Sequence, residues 1–244
     1  DRLRAIKSPA EQALIREVTA RGVAVMTALL DAAQPGRTEG DAVGAALQTM
    51  ASLGVMPYEL HVASGPDAHQ YTRSRMPSWD WERPLQAGDL FHVDMFGAYQ
   101  GYYFDFARTI VVGSGEPTGE QVRLMRAARD SVYAVIEAIR PGVTGRELVL
   151  AGYQVLERYG LAAASDVSQG GRASAFAAFG HSLGVQWEAP WLDAQSDEQI
   201  APGMYLAIEK TVGIPGVGGA TFEENVLVTE DGVEVLTAAA PQGL

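Results

Sequence analysis

The 244 residues include no cysteine, which excludes a disulfide framework, a thiolate nucleophile and a thiolate-held zinc. Any metal must therefore sit on histidine and carboxylate. No run of about 18 apolar residues is present to cross a bilayer, and the polar, basic opening DRLRAIKSPAEQ lacks the apolar centre of a signal peptide. The expected location is cytoplasmic. Basic residues are scarce, 18 Lys and Arg against 30 Asp and Glu for a net charge of −12. Without basic runs, nucleic acid and anionic membranes are not expected partners, since both need counter-charge. Small-substrate chemistry fits better. Position 1 is Asp rather than Met, so an upstream domain is expected before this chain. With 47% hydrophobic residues, the length can bury a full core in one large domain or two small ones.

What is present is repeated. Ser8-Pro9-Ala10-Glu11 spells a capping box with Pro at the first helical position, ahead of apolar-periodic Leu14, Val18, Val23, Met26 and Leu30. Thr38 to Asp41 opens a second helix ending near Gly54, and Thr118 and Thr144 open two more, to about Arg140 and Gly160. Strand-like runs fill 58–64, 89–97, 102–112, 203–212 and 220–228. Laid without gaps over PGVTGRELVLAGYQVLERYG (141–160), the segment PGRTEGDAVGAALQTMASLG (35–54) matches at seven of 20 positions, where composition alone gives roughly one or two. Gly88 precedes Asp94, and Gly203 precedes Glu209, by the same six residues. Each half thus reads helix, helix, β-hairpin, with the halves expected to pack about a pseudo-twofold axis and join their sheets.

Both hairpins carry paired acids. A turn centred on Tyr99-Gln100 would set Asp94 directly opposite Asp105, and one centred on Gly216 would set Glu209 opposite Glu223. Like charges so opposed destabilise a sheet, and the neighbours, among them Leu90, Phe91, Val93, Phe104, Leu206, Ile208 and Phe222, are apolar. Unpaired carboxylates are too costly to bury there. Arg108 and Lys210 fall on strand positions of the opposite parity and are expected on the other face. Bound cations remain the best neutraliser, and four hard oxygens with an imidazole suit a pair of divalent ions such as manganese, iron, cobalt or zinc. The imidazole candidates are His61, His69, His92 and His181. His181, within Phe-Gly-His-Ser-Leu-Gly, has small neighbours that let backbone pack closely around a fixed ring; His92 shares the face of Asp94 and reads either as its support or as core.

Together these residues resemble the pita-bread metallopeptidases: methionine aminopeptidase, aminopeptidase P, prolidase and the related creatinase. The resemblance covers essentially the whole chain, from Ile-Lys-Ser-Pro-x-Glu through Asp94 and Asp105, Gly-His-x-x-Gly at His181, Ile-Glu at Glu209 and FEENVLVTEDG with Glu223. It implies an α+β pita-bread fold over residues 1–244 as a single catalytic domain, two pseudo-symmetric halves forming one curved antiparallel sheet covered by helices. It also implies two divalent metal ions, manganese first among them. By resemblance Asp94 chelates one ion, Asp105 and Glu223 bridge both, His181 and Glu209 complete the other, a bridging hydroxide attacks an amide bond, Glu209 shuttles the proton, and the enzyme forms a homodimer.

The substrate-facing positions depart from the family. Ser64-Gly65-Pro66-Asp67-Ala68-His69-Gln70-Tyr71 is shorter than the family segment and has Asp for Asn, leaving His69 as the candidate substrate-side and catalytic histidine. Trp187 stands where a second histidine usually precedes Glu-x-Pro, Thr221 replaces an Arg, and Ala107 a Thr. Tyr71 and Trp187 are candidate substrate contacts, and Trp79 and Trp81 offer further aromatic faces. The leading expectation is a dinuclear hydrolase of the Xaa-Pro aminopeptidase or prolidase type acting on a small peptide or amide. The alternatives are a related metalloenzyme for a small non-peptide substrate, of the amidinohydrolase, ectoine hydrolase or sulfonium lyase kind, and a non-enzymatic binding module.

Overall fold

A computed structural model describes residues 2–66, 68–69, 77–162 and 178–243. A short helix α1 (Arg2–Ala5) leads into α2 (Pro9–Ala32) and α3 (Glu39–Ser52), followed by strands β1 (Met56–Ser64), β2 (Leu90–Tyr99) and β3 (Tyr102–Val111). The second half runs α4 (Gly119–Ala138), α5 (Gly145–Arg158), β4 (Gly180–Leu183), β5 (Trp187–Trp191), β6 (Tyr205–Ile214), β7 (Gly218–Val228) and β8 (Val233–Val235). Among the described residues, the four long helices each begin in a complete capping box, on Ser8, Thr38, Thr118 and Thr144. Each cap side chain satisfies an amide that the first turn cannot bond internally.

The repeat extends to backbone detail. Thr38 bridges Pro84 and Thr144 bridges Gln199, in each case the residue four before the glycine that leads the inner strand. The Gly36 amide donates to Leu85 and the Gly142 amide to Ile200. Each half also has its own apolar core, Val25, Met26, Leu29, Phe104 and Phe106 in the first and Leu124, Val132, Leu148, Phe179 and Leu206 in the second.

The strands form two antiparallel ladders, β1-β2-β3 and β5-β4-β6-β7-β8. They meet where β3 lies beside β7: Thr109 Oγ1 donates to Thr221 O at 2.8 Å, and the Asp105 amide donates to Asn225 Oδ1 at 3.1 Å. The expected curved sheet is thus built from two hydrogen-bonded pieces. One expected register is wrong. The first hairpin turns at Gln100-Gly101, with Tyr99 opposite Tyr102, so Asp94 faces Ala107 and Asp105 faces Phe96. Both turn residues have positive φ, 53° and 84°, as a two-residue turn matched to strand twist demands. Gly101 meets that demand in the second position, where a turn centred one residue earlier would have put Gln100, with Tyr99 in the first. In the second hairpin Glu209 does face Glu223.

Candidate metal centre

Asp94 and Asp105 remain on one face of the first hairpin, as diagonal rather than opposed residues. Glu209 and Glu223 come from the second hairpin, and His181 from β4 next to β6. The structure brings all five together. Ligand atoms of Asp105, His181 and Glu223 lie within 4.8 Å of one another, as do those of Asp94, Glu209 and Glu223. Glu223 belongs to both triads, whereas His181 groups with Asp105 and Glu209 with Asp94. All five side chains are buried, the most exposed being Glu209 at 5%.

Local structure aims the imidazole. Gly180 has φ of 130°, and a Cβ there would lie 1.9 Å from the carbonyl oxygen of Ala207; glycine alone lets β4 approach β6 this closely. The His181 Nδ1 faces the Ser182 carbonyl at 3.1 Å. Donation there leaves Nε2 as the lone-pair nitrogen, 3.4 Å from Asp105 Oδ2 and 3.8 Å from Glu209 Oε1. Burial lowers the His181 pKa, which favours the neutral form that a metal requires. Trp187, at the start of β5, donates its indole N–H to Asp105 Oδ2 at 2.7 Å. Its neighbour Glu188 is buried elsewhere and held by Arg4 at 3.0 Å and Lys7 at 3.5 Å.

The carboxyl groups register the cost of their position. Burial pushes Asp105 and Glu209 up to about 8, with the other site acids adding to the rise at Glu209 and the His181 charge opposing it. Glu223 is raised as well, by burial first and then by Asp105, Asp94 and Glu209. Among the described residues no amide, hydroxyl or basic donor reaches Asp105 Oδ1 or either oxygen of Glu223. Arg108 and Lys210 do lie on the other face: Arg108 pairs with Glu224 at 2.9 Å, and the Lys210 ammonium sits 4.3 Å from the Phe179 ring centre. Buried acceptors without donors, in a set of hard oxygens and one imidazole, fit divalent cations by the chemistry of the donor set.

A cavity of about 140 Å³ opens beside the cluster, lined by Glu59, His61, Asp94, Phe96, Asp105, His181, Trp187, Trp191 and Glu209. Of the candidate substrate contacts, Trp187 lines it. His69 is not among the described lining residues; its backbone lies against Gly213 and Gly219 toward the far end of the second hairpin. Tyr71 falls outside the described residues. Trp79 packs on the core of the first half, and Trp81 is exposed. His92 is buried, with Nε2 3.1 Å from the Ala68 carbonyl. Sequence reasoning missed Glu59, Phe96 and Trp191, and named His61 only as one imidazole of four. The available signal was parity: Glu59 and His61 are two apart on a strand, and register places them opposite Phe96 and Asp94.

Two helix-helix-hairpin halves bring a histidine and four acids together in a candidate site for divalent metal. Residues 13–230 match the model of metallopeptidase family M24, and the chain belongs to that family. It is 32% identical over 238 residues to the probable dipeptidase PepE of Mycobacterium tuberculosis, covering 95% of this chain and 58% of that protein. Against the Xaa-Pro dipeptidase of Pyrococcus furiosus it is 30% identical over 157 residues, 64% of this chain and 42% of the relative. The crystal structure of dipeptidase PepE from Mycobacterium ulcerans superposes with a TM-score of 0.86 at 28% identity, covering 100% of this chain and 62% of that one. The chain therefore spans less than two thirds of the length of these relatives.

Proposed function

We propose that the protein hydrolyses the amide bond of a small peptide, with Xaa-Pro dipeptides as the first class to test, using two divalent cations held by Asp94, Asp105, His181, Glu209 and Glu223. The observation that carries this reading is the convergence of four buried carboxylates, with acceptor atoms lacking donors, on one buried imidazole. Glu223, common to both triads, is the natural shared ligand. When bound, such ions would supply Lewis-acid polarisation of an amide carbonyl and a lowered pKa for water.

The remaining chemistry belongs to the chain. Trp187 holds Asp105 Oδ2 through its indole N–H and, with Phe96 and Trp191, walls the cavity in apolar rings, limiting competing water. Glu209 lines the cavity and is the carboxylate placed to carry a proton to the departing amine nitrogen. The cavity, close in size to the roughly 150 Å³ that accommodates benzene in a protein interior, accepts one residue-sized group and leaves the rest of a substrate outside. That size also supports a second reading, a small non-peptide amide.

Purified protein loaded in turn with manganese, cobalt, iron and zinc, and offered a panel of Xaa-Pro dipeptides and tripeptides, separates the two. Amine release that requires metal and stops with chelator is expected. Metal binding without turnover of any peptide would overturn the peptidase reading in favour of the non-peptide one.

A further inference from the structure

Part of the cavity wall is built from β1, through Glu59 and His61. Register places Glu59 beside Phe96, and Phe96 beside Asp105, in one row across three strands. The next row is His61, Asp94 and Ala107. Side chains of both rows share a face, so Glu59 stands two strands, or about 10 Å along the sheet, from the nearest ligand in its row. A register shift between Pro57 and Glu59 precedes the pair; such irregularities re-aim side chains beside active sites. Tyr58, within the shift, packs on Trp187 and Tyr103 at ring distances of 5.3 and 5.5 Å.

Glu59 is held in place. His61 Nε2 lies 3.3 Å from Glu59 Oε1, and His61 Nδ1 lies 3.0 Å from Ser78 Oγ. An imidazole donating from Nε2 and accepting the Ser78 hydroxyl at Nδ1 satisfies both contacts. The His61 ring is further fixed edge-on to Phe96 at 5.7 Å. Among the described residues, Glu59 Oε2 has no partner.

Charge gives this carboxylate its role. Four ligand acids would balance two divalent ions when these are bound, which would leave Glu59 as the remaining carboxylate among the described lining residues. The described lining residues include no Lys or Arg, and the rings of Phe96 and Trp187 present further faces that attract cations. A substrate carboxylate finds nothing to pair with here, and an ammonium finds an oriented acceptor. In a peptide the α-nitrogen lies only about 2.5 Å from the carbonyl carbon of its own residue. The group beside the scissile carbonyl that carries positive charge at neutral pH is therefore the free amino terminus.

We infer that Glu59, oriented by the positioning residue His61, is a specificity-determining residue that receives the substrate's α-ammonium group and selects for an unblocked amino terminus. This inference rests on the amide-hydrolase reading of the site. The test compares alanyl-proline with propionyl-proline, which differs by lacking the amine, on manganese-loaded wild type and Glu59→Gln. Wild type is expected to favour alanyl-proline. In Glu59→Gln the KM for alanyl-proline should rise about tenfold, the scale of one hydrogen bond to a charged group, and the preference between the substrates should shrink by a similar factor. A wild type that does not discriminate, or a Glu59→Gln variant that keeps the full preference, overturns the inference.

If wild type cleaves neither compound, the peptidase reading fails on its own, and calorimetric binding of alanyl-proline decides about Glu59. Affinity about tenfold weaker in Glu59→Gln upholds the subsite, whereas equal affinities, or no binding to wild type, sink it. Should Glu59→Gln melt well below wild type, Ser78→Ala, which frees the far side of His61, should reduce the preference several-fold, and an unchanged preference would count against the proposal.

Discussion

The two halves share caps, bridges and core architecture, yet they present their acids differently. In the second half a connection of three residues, 215–217, leaves Glu209 directly opposite Glu223. In the first a two-residue turn sets Asp94 opposite Ala107 and moves its partner acid, Asp105, two residues nearer the turn. The corresponding place in the second half belongs to Thr221, whose hydroxyl bonds Thr211 at 2.9 Å. The halves also divide the cavity, the first supplying Glu59, His61 and Phe96 and the second His181, Trp187 and Trp191. The repeat keeps caps, bridges and cores alike in the two halves and departs from symmetry where each half lines the cavity with different side chains.

The largest expected effect breaks this division of labour at its centre. Asp105→Asn in the first half and Glu223→Gln in the second should each lower the rate at least about a hundredfold, beyond what loss of a supporting residue around a metal commonly costs, and each should reduce bound metal by elemental analysis. A variant in either half that kept full metal and full rate would show that its half does not contribute.

Removing the metal should affect both halves together. At a hundred times its dissociation constant, manganese stabilises the native state by about 2.7 kcal/mol, or about 5–10 °C in melting temperature for a chain of this size, and chelator should abolish the gain. The pH response should change sign with occupancy. Asp105 and Glu209 have folded pKa values raised to about 8 from 3.8 and 4.5. The native metal-free protein therefore holds protons that the unfolded chain has released, and this stability is complete below about pH 4 and lost as pH rises through 8. Scanning calorimetry should show the metal-free melting temperature falling from pH 5 to pH 9, and rising or level with saturating manganese, because protons compete with the ions. A metal-free melting temperature that climbs across this range would contradict the burial of these acids.

The scaffold was legible because capping is local chemistry: a Thr, and an acid or amide three residues on, announce the same helix start in either half. The four clustered acids were legible because buried acids need a neutraliser, and His181 through its small neighbours and the family resemblance. The stagger of Asp105 was not, since centring the turn on Tyr99-Gln100 or on Gln100-Gly101 changes pairing by two residues while leaving the apolar pattern almost unchanged. The strands β4 and β5, four and five residues long, are too short to show a period. The Glu59 wall depended on how β1 aligns with β2, a long-range pairing that no local pattern states. His69 drew notice because it follows Ser-Gly-Pro, whereas the histidines among the described lining residues are His61 and His181.

Trp187 offers a smaller effect that sharpens the contrast, since it reaches from the second half to an acid of the first. Trp187→Phe keeps an aromatic wall and removes the N–H bonded to Asp105. Metal affinity, read by competition with a chromophoric chelator, should weaken about tenfold, the lower end for removing a hydrogen-bond partner of a ligand. An unchanged affinity would mean that the indole serves the wall alone.

The smallest effect tests the symmetry itself. Thr38 and Thr144 occupy equivalent caps, their hydroxyls accepting from the Asp41 amide at 3.1 Å and the Glu147 amide at 3.4 Å. Alanine at either site removes the hydroxyl and retains the backbone, so the bridges to Pro84 and Gln199 should survive. Each change should cost about 1 kcal/mol, about 2–4 °C in melting temperature, and the double variant should show the sum because the caps share no partner. Metal affinity should be unaffected, since neither hydroxyl touches the acids. Unequal losses would show that the two halves, alike in sequence and backbone, do not bear equal shares of the stability, and a double variant that departs from the sum would show that they unfold as one unit with coupled caps.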